Sequence, residues 1–153
     1  MPIFIGDVHG EWTSYNRIIR DVKKPTLQIG DFGIGLGPWP GHEMYDEHAM
    51  RAGGHEFGRG NHDNPFLCRE SSVYRPDGTL TSDGVFWVGG AMSVDAHSRI
   101  EGRDWWREEE LEMGDFYEIM DRYEEAKPDI LASHDCPDFI MSFMKGGAND
   151  SYK

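Results

Sequence analysis

Pro2-Ile3-Phe4-Ile5-Gly6-Asp7-Val8-His9-Gly10 stands near the start of the chain, and Thr26-Leu27-Gln28-Ile29-Gly30-Asp31 repeats its plan, a short apolar run that breaks at Gly-Asp. Between them Tyr15, Ile18, Ile19 and Val22 recur at spacings of three and four, which predicts a helix from Trp12 to Val22 with one buried face. Pro25 stops that helix before the second apolar run, because proline offers no amide hydrogen and crowds the preceding turn. Strand, helix and strand in this order predict a β-α-β unit and an α/β fold.

Downstream the same alternation continues. Residues 33–41 are rich in Gly and Pro and read as a surface loop, residues 41–52 as a short helix, and His55 to Gly60 as the next strand. Arg75-Pro76-Asp77-Gly78-Thr79 carries turn chemistry and is expected to join two short strands, the second containing Val85-Phe86-Trp87-Val88. Phe116, Ile119, Met120, Tyr123 and Ala126 share one helical face, Pro128 ends that helix, and Ile130-Leu131-Ala132 supplies a further buried strand. No internal repeat or low-complexity tract interrupts the series.

The chain has 153 residues, 38% hydrophobic and 12% aromatic, which fits one domain over residues 1–153 with a real core. Its 28 acidic residues outnumber 15 Lys plus Arg, for a formal charge of -13. Such a field repels polyanions and disfavours broad nucleic-acid binding. Oxygen-ligand sites for hard cations are another source of excess carboxylate. Cys68 and Cys136 form no CxxC pair, so neither a disulfide framework nor a thiolate zinc site is indicated. With no signal-like or membrane-spanning stretch at the N-terminus, a cytoplasmic protein with reduced thiols and no membrane partner is expected.

Four polar clusters follow predicted strands: Gly6-Asp7-Val8-His9-Gly10, Gly30-Asp31-Phe32-Gly33, Gly60-Asn61-His62-Asp63 and Ser133-His134-Asp135. Each alone reads as turn chemistry, since Asp or Asn beside Gly is the usual composition of a tight turn. Together they carry more, because loops at the carboxyl ends of strands in an open α/β sheet converge on one crevice. Asp7, His9, Asp31, Asn61 and His134 are oxygen or imidazole donors of the kind first-row divalent metals accept.

The series resembles the calcineurin-like metallophosphoesterase superfamily, whose signature runs GDxHG, GD, GNH followed by Asp or Glu, a later His, and a final GHxH. The resemblance extends from about Ile3 to Pro137, and residues 89–95 with Asp104-Trp105-Trp106 look like a phage and bacterial branch of it. It implies an α/β sandwich of two mixed β-sheets flanked by helices. It also implies two divalent metal ions, manganese or else iron or zinc, with Asp7 and His9 on one, Asn61 and His134 on the other, and Asp31 bridging. His62 becomes the proton donor and Asp63 the residue that orients it. The activity implied is hydrolysis of a phosphomonoester or phosphodiester by water activated between the two ions, at roughly 3.5 to 4 Å separation.

This sequence departs from the pattern in one element: no histidine follows His134, so GHxH is missing. A C-terminally shortened form is the expectation, with Asp95 and His97 as replacement donors by composition. A shortened sheet leaves an edge or apolar face uncovered, which predicts self-association into a homo-oligomer. Gly30-Asp31-Phe32-Gly33 also lacks the arginine that protein phosphatases of the superfamily carry in their second motif, so a small phosphorylated substrate is preferred to phosphoprotein. Arg99, with Arg103 nearby, is the candidate for gripping phosphate, because guanidinium groups bind such oxygens bidentately. A nuclease of the same superfamily and a noncatalytic metal- or partner-binding module are the competing readings.

The remaining features read as structural. Glu108-Glu109-Glu110 is expected to be a solvated run near a helix start, and Trp105 and Trp106 to pack rather than stack on a ligand. His42, His48 and His55 share no ligand spacing, and Phe139, Met141, Phe143 and Met144 form an apolar patch.

Overall fold

The computed structural model describes residues 3–36 and 44–136. Among these residues the chain is mixed α/β, with two three-stranded sheets and four α-helices. The first sheet contains β1 (Ile3–Ile5), β2 (Thr26–Ile29) and β3 (Glu56–Gly58) in that order. All its pairs are parallel, Ile3 lying opposite Thr26 and Leu27 opposite Glu56. Parallel neighbours cannot be joined by a tight turn, so α1 (Trp12–Asp21) and α2 (Glu47–Gly53) fill the two crossovers.

In α1 the buried residues are Trp12, Tyr15, Asn16 and Ile19, whereas Ile18 is 41% exposed. The buried stripe is therefore turned away from the expected Ile18. Asn16 takes its place because its polar atoms are satisfied: Nδ2 donates to the Met44 carbonyl at 3.1 Å, and Oδ1 accepts from the Asp46 amide at 2.8 Å. Asp46 caps α2 by accepting from the Ala49 amide at 2.9 Å, so the helix begins later than the sequence suggested. A further helix, α3 (Pro65–Glu70), was not anticipated, although Asn64 accepts from the Phe66 and Leu67 amides and Pro65 sits in the first turn.

The second sheet has the order β4 (Thr79–Leu80), β5 (Val85–Val88), β6 (Ile130–Ser133), with β4 antiparallel and β6 parallel to β5. Two mixed sheets were expected; only this one is mixed among the described residues. The antiparallel pair turns at residues 81–84, where the Gly84 amide donates to Thr81, and not at residues 75–79. α4 (Met113–Ala126) follows, its Tyr123 ring meeting Phe86 edge-on at 5.4 Å. Ile119 is buried there, but Phe116 and Met120 are 44% and 40% exposed and Leu131 of β6 is 51% exposed, so this face is more open than the pattern predicted.

Leu27, Val85 and Trp87, with Ile29, Ile130 and Ala132, form the apolar cluster through which the sheets meet. The helical side of the first sheet holds a second cluster around Tyr15, Phe32, Met50 and Phe57. Glu109, expected in solvent, is fully buried: its Oε1 accepts from the Ser93 amide at 2.8 Å and from Trp105 Nε1 at 3.1 Å. Trp106 is buried, His48 exposed, and buried His55 bonds Thr26 Oγ1 at 3.1 Å. His42 and the Phe139 to Met144 patch lie outside the described residues. Among the described residues no helix is long and apolar enough to cross a membrane.

Candidate functional site

All parallel strands of the first sheet end at one side, which brings the three Gly-containing clusters into adjacent loops. Gln28, buried in β2, helps fix their exit: its amide nitrogen donates to the Gly6 carbonyl at 3.2 Å and to the Gly30 carbonyl. The Val8 and His9 amides both donate to the Asp31 carbonyl at 2.9 Å, joining the first loop to the second. Asp63 joins the second to the third, accepting from the amides of Phe32 at 3.0 Å, Gly33 at 2.6 Å, Ile34 at 2.9 Å and Gly60 at 2.8 Å. Burial pushes its carboxyl above the usual range, opposed by these amide bonds. His134 arrives from β6 of the second sheet, its amide donating to the Val88 carbonyl at 3.1 Å.

The four clusters meet. His9 Nε2 lies 3.5 Å from Asp7 Oδ2 and 3.6 Å from Asp31 Oδ2, while His134 Nε2 lies 3.3 Å from Asp31 Oδ1 and 3.2 Å from Asn61 Oδ1. Asp31 thus turns one carboxylate oxygen toward His9, beside Asp7, and the other toward His134, beside Asn61. His134 Nδ1 sits 2.9 Å from the Ile29 carbonyl, which can only accept, so Nδ1 carries the proton and Nε2 faces the donor cluster. Burial works to lower the His134 value, but Asp31 beside it prevails and raises it to about 9. For Asp31 burial works upward, and the bonds from His134 and the His62 amide hold the carboxyl below its ordinary value.

Two backbone features allow this crowding. Gly60 stands where a Cβ would overlap Asp31, and a Cβ on Gly30 would overlap the His134 ring. His9 and Asp31 themselves adopt left-handed backbone, at φ 47° and 56°.

His62 also joins the cluster: one ligand atom from each of His9, Asp31 and His62 can be chosen so that all lie within 4.8 Å of one another. The ring centroids of His9 and His62 are 5.1 Å apart, edge to face. Asp63 does not orient His62 as expected, because its oxygens are committed to four amides. The contact to the ring comes from Arg99, whose Nη2 donates to His62 Nε2 at 2.8 Å and pairs with Asp95 Oδ1 at 2.8 Å. Asp95 is thereby engaged, His97 is exposed, and neither belongs to the donor group among the described residues. Arg103 pairs with Asp104 at 2.8 Å.

Sequence reasoning missed Arg59, which is buried between Asp77 Oδ2 at 2.7 Å and the Glu108 and Glu109 carbonyls at 2.8 Å each. It also missed Ser93, whose Oγ accepts from Asn61 Nδ2 at 3.0 Å. The available signal was position: Arg59 immediately precedes Gly60-Asn61, and Ser93 lies in the Gly-rich loop after β5. The donors of the cluster suit divalent first-row ions, and its close packing without a Cβ at residue 60 fits a site built to hold them. Comparison with family models, curated proteins and solved structures found no match to this chain.

Proposed function

We propose that this chain is a metal-dependent phosphoesterase of the calcineurin-like metallophosphoesterase type, acting on a small phosphomonoester or phosphodiester. The observation that carries the reading is the meeting of four strand-end clusters on the divided carboxylate of Asp31. Asp7 and His9 would hold one divalent ion and Asn61 and His134 the other, with Asp31 able to serve both through its two oxygens; manganese is preferred, with iron or zinc as alternatives. Bound together, such ions acidify a water and neutralise charge on phosphoryl oxygens. The apolar contact between the two sheets through Leu27, Val85 and Trp87 supports reading them as part of the sandwich of that superfamily.

The protein's own groups supply the rest. His62 stands beside the cluster to protonate the leaving oxygen, a contribution typically worth roughly 100-fold to 10,000-fold. Arg99 Nη2 donates to His62 Nε2 and to Asp95, so Nε2 can serve as the proton donor only once an incoming phosphate oxygen has taken over the Arg99 donor. A second role for His62, as a donor to one of the ions, is favoured by its place in the group with His9 and Asp31.

Hydrolysis of p-nitrophenyl phosphate and its bis ester with added manganese, alongside bound-metal assays, tests this reading on wild type, Asp31→Asn and His62→Ala. Manganese-dependent turnover lost in both variants supports the phosphoesterase. Turnover no higher in wild type than in Asp31→Asn overturns it and leaves a noncatalytic module. Metal retained in an inactive His62→Ala protein makes His62 a proton donor; metal lost makes it an ion ligand.

A further inference from the structure

An asparagine side chain has two ends that look alike in shape and differ in chemistry, and only its oxygen can serve a cation. Asn61 turns Oδ1 toward His134 Nε2 at 3.2 Å, and its Nδ2 donates to Ser93 Oγ at 3.0 Å. Ser93 is itself buried, at 4% exposure, and cannot wander: its amide donates at 2.8 Å to Oε1 of the fully buried Glu109, which also accepts from Trp105 Nε1. The loop bearing Ser93 is fixed a second time where the Gly90 amide donates to the Arg59 carbonyl at 2.9 Å, two residues before Asn61. The Arg59 guanidinium returns to the Glu109 carbonyl at 2.8 Å, closing the connection between the loops.

We propose that Ser93, anchored by the Glu109 carboxylate, is a positioning residue that holds the Asn61 amide with its oxygen toward the metal centre and its nitrogen away. The inference rests on the reading of Asn61 as an ion ligand. A hydroxyl can serve either end of an amide, and with a cation claiming the oxygen it accepts from Nδ2; without it Nδ2 loses that partner and the amide can rotate, presenting its NH2 group to the cation. Glu109 explains itself in the same terms: an acid in an exposed-looking run of three is buried because it fixes the backbone that carries this hydroxyl.

The test is manganese binding, followed by the electron paramagnetic resonance of the free ion, with melting curves in chelator recorded in parallel. Ser93→Ala is expected to weaken binding about 10-fold to 100-fold, the usual effect of removing a partner that orients a ligand. Ser93→Thr, which keeps the hydroxyl, is expected to bind within a few-fold of wild type. The decisive comparison is made in an Asn61→Asp background, where both ends of the side chain are oxygens and rotation no longer matters; there Ser93→Ala is expected to change affinity little. An equal loss in both backgrounds, or equal losses in Ser93→Ala and Ser93→Thr, would mean general loop damage and overturn the proposal. Wild-type binding by Ser93→Ala overturns it too. If Asn61→Ala then still loses manganese, Asn61 stands as a ligand without this positioning; if it does not, the ligand assignment fails with it.

Discussion

Gly60 offers a sharp perturbation, because its backbone is not left-handed and alanine is conformationally acceptable there. What alanine lacks is room. A Cβ would stand 2.6 Å from His134 Nε2, against 3.4 Å for ordinary contact, so the imidazole must retreat by about 0.8 Å. It would also overlap Asp31 at both a carboxylate oxygen and the backbone nitrogen, and backbone cannot swing aside as a side-chain end can. Overpacking of this kind costs about 1–3 kcal/mol. For a chain of this size that corresponds to a melting temperature lower by about 2–12 °C. The displacement exceeds the roughly 0.5 Å within which a binding constellation must be held, so manganese affinity should fall by about 10-fold or more. Gly6→Ala is the control: nothing lies within 4 Å of its Cβ, and an unconstrained surface change stays within about 0.5 kcal/mol. Calorimetry with and without manganese reads both effects. Wild-type melting and wild-type affinity in Gly60→Ala would refute the argument that close approach to the donor cluster excludes a side chain there.

Asp63→Asn replaces an acceptor oxygen with an NH2 group and leaves two of the amides it serves without a partner. At about 1–3 kcal/mol for each unsatisfied group, melting in chelator should drop by at least about 4 °C, and an unchanged melt would contradict the loop-stapling role. Burial depresses the His55 value, so the folded state resists its protonation. Its contribution to stability is present above the unfolded value of about 6.5 and is lost as pH falls below it. The melting temperature of wild type should therefore fall more between about pH 7.5 and 5.5 than that of His55→Asn, and parallel slopes would remove His55 as the cause. Arg99→Ala should lower kcat/KM for a phosphomonoester by about 10-fold or more, the value of one charge-assisted hydrogen bond, with Arg99→Lys restoring only part. Kinetics indistinguishable from wild type would leave Arg99 as a partner of Asp95 alone.

The β-α-β unit was legible because its signals were local and redundant: two apolar runs, a stripe at helical spacing and Pro25 between them. The convergence of the donors was legible for a different reason, since parallel strands deliver their carboxyl-end loops to one side. Features decided by nonlocal partners were hidden. Ile18 has the same hydrophobic character as Ile19, yet Asn16 took the buried position because residues 44 and 46 satisfied its amide. Glu109 sits in a run that reads as solvated until Ser93 and Trp105, distant or oblique in sequence, are seen to share its carboxylate oxygen. α3 carried a start signal at Asn64-Pro65, but six residues are too few to show a helical period. The role expected of Asp63 came from the family resemblance; in this chain consecutive side chains diverge, and its carboxylate points inward to the amides.

Backbone strain gives an independent reason to regard the donor cluster as a purposeful site. Three non-glycine residues among those described have left-handed backbone: His9, Asp31 and Lys127. Lys127 caps the end of α4, where a left-handed residue closes many helices. His9 and Asp31 cap nothing; each sits in a loop after a strand, and glycine would adopt the same conformation without strain. Residues in sparsely populated backbone conformations cost of order 1 kcal/mol or more and persist where the surroundings enforce them. Here the enforcement is visible, in the two amides bonded to the Asp31 carbonyl and in the Asp63 staple beneath Phe32 and Gly33. The strain falls on the two residues that present His9 Nε2 and the Asp31 carboxylate to one another, in loops where their neighbours at residues 10, 30 and 33 are glycines. Packing does not require His9, which is exposed; under the proposed function its imidazole accounts for a side chain there in place of glycine.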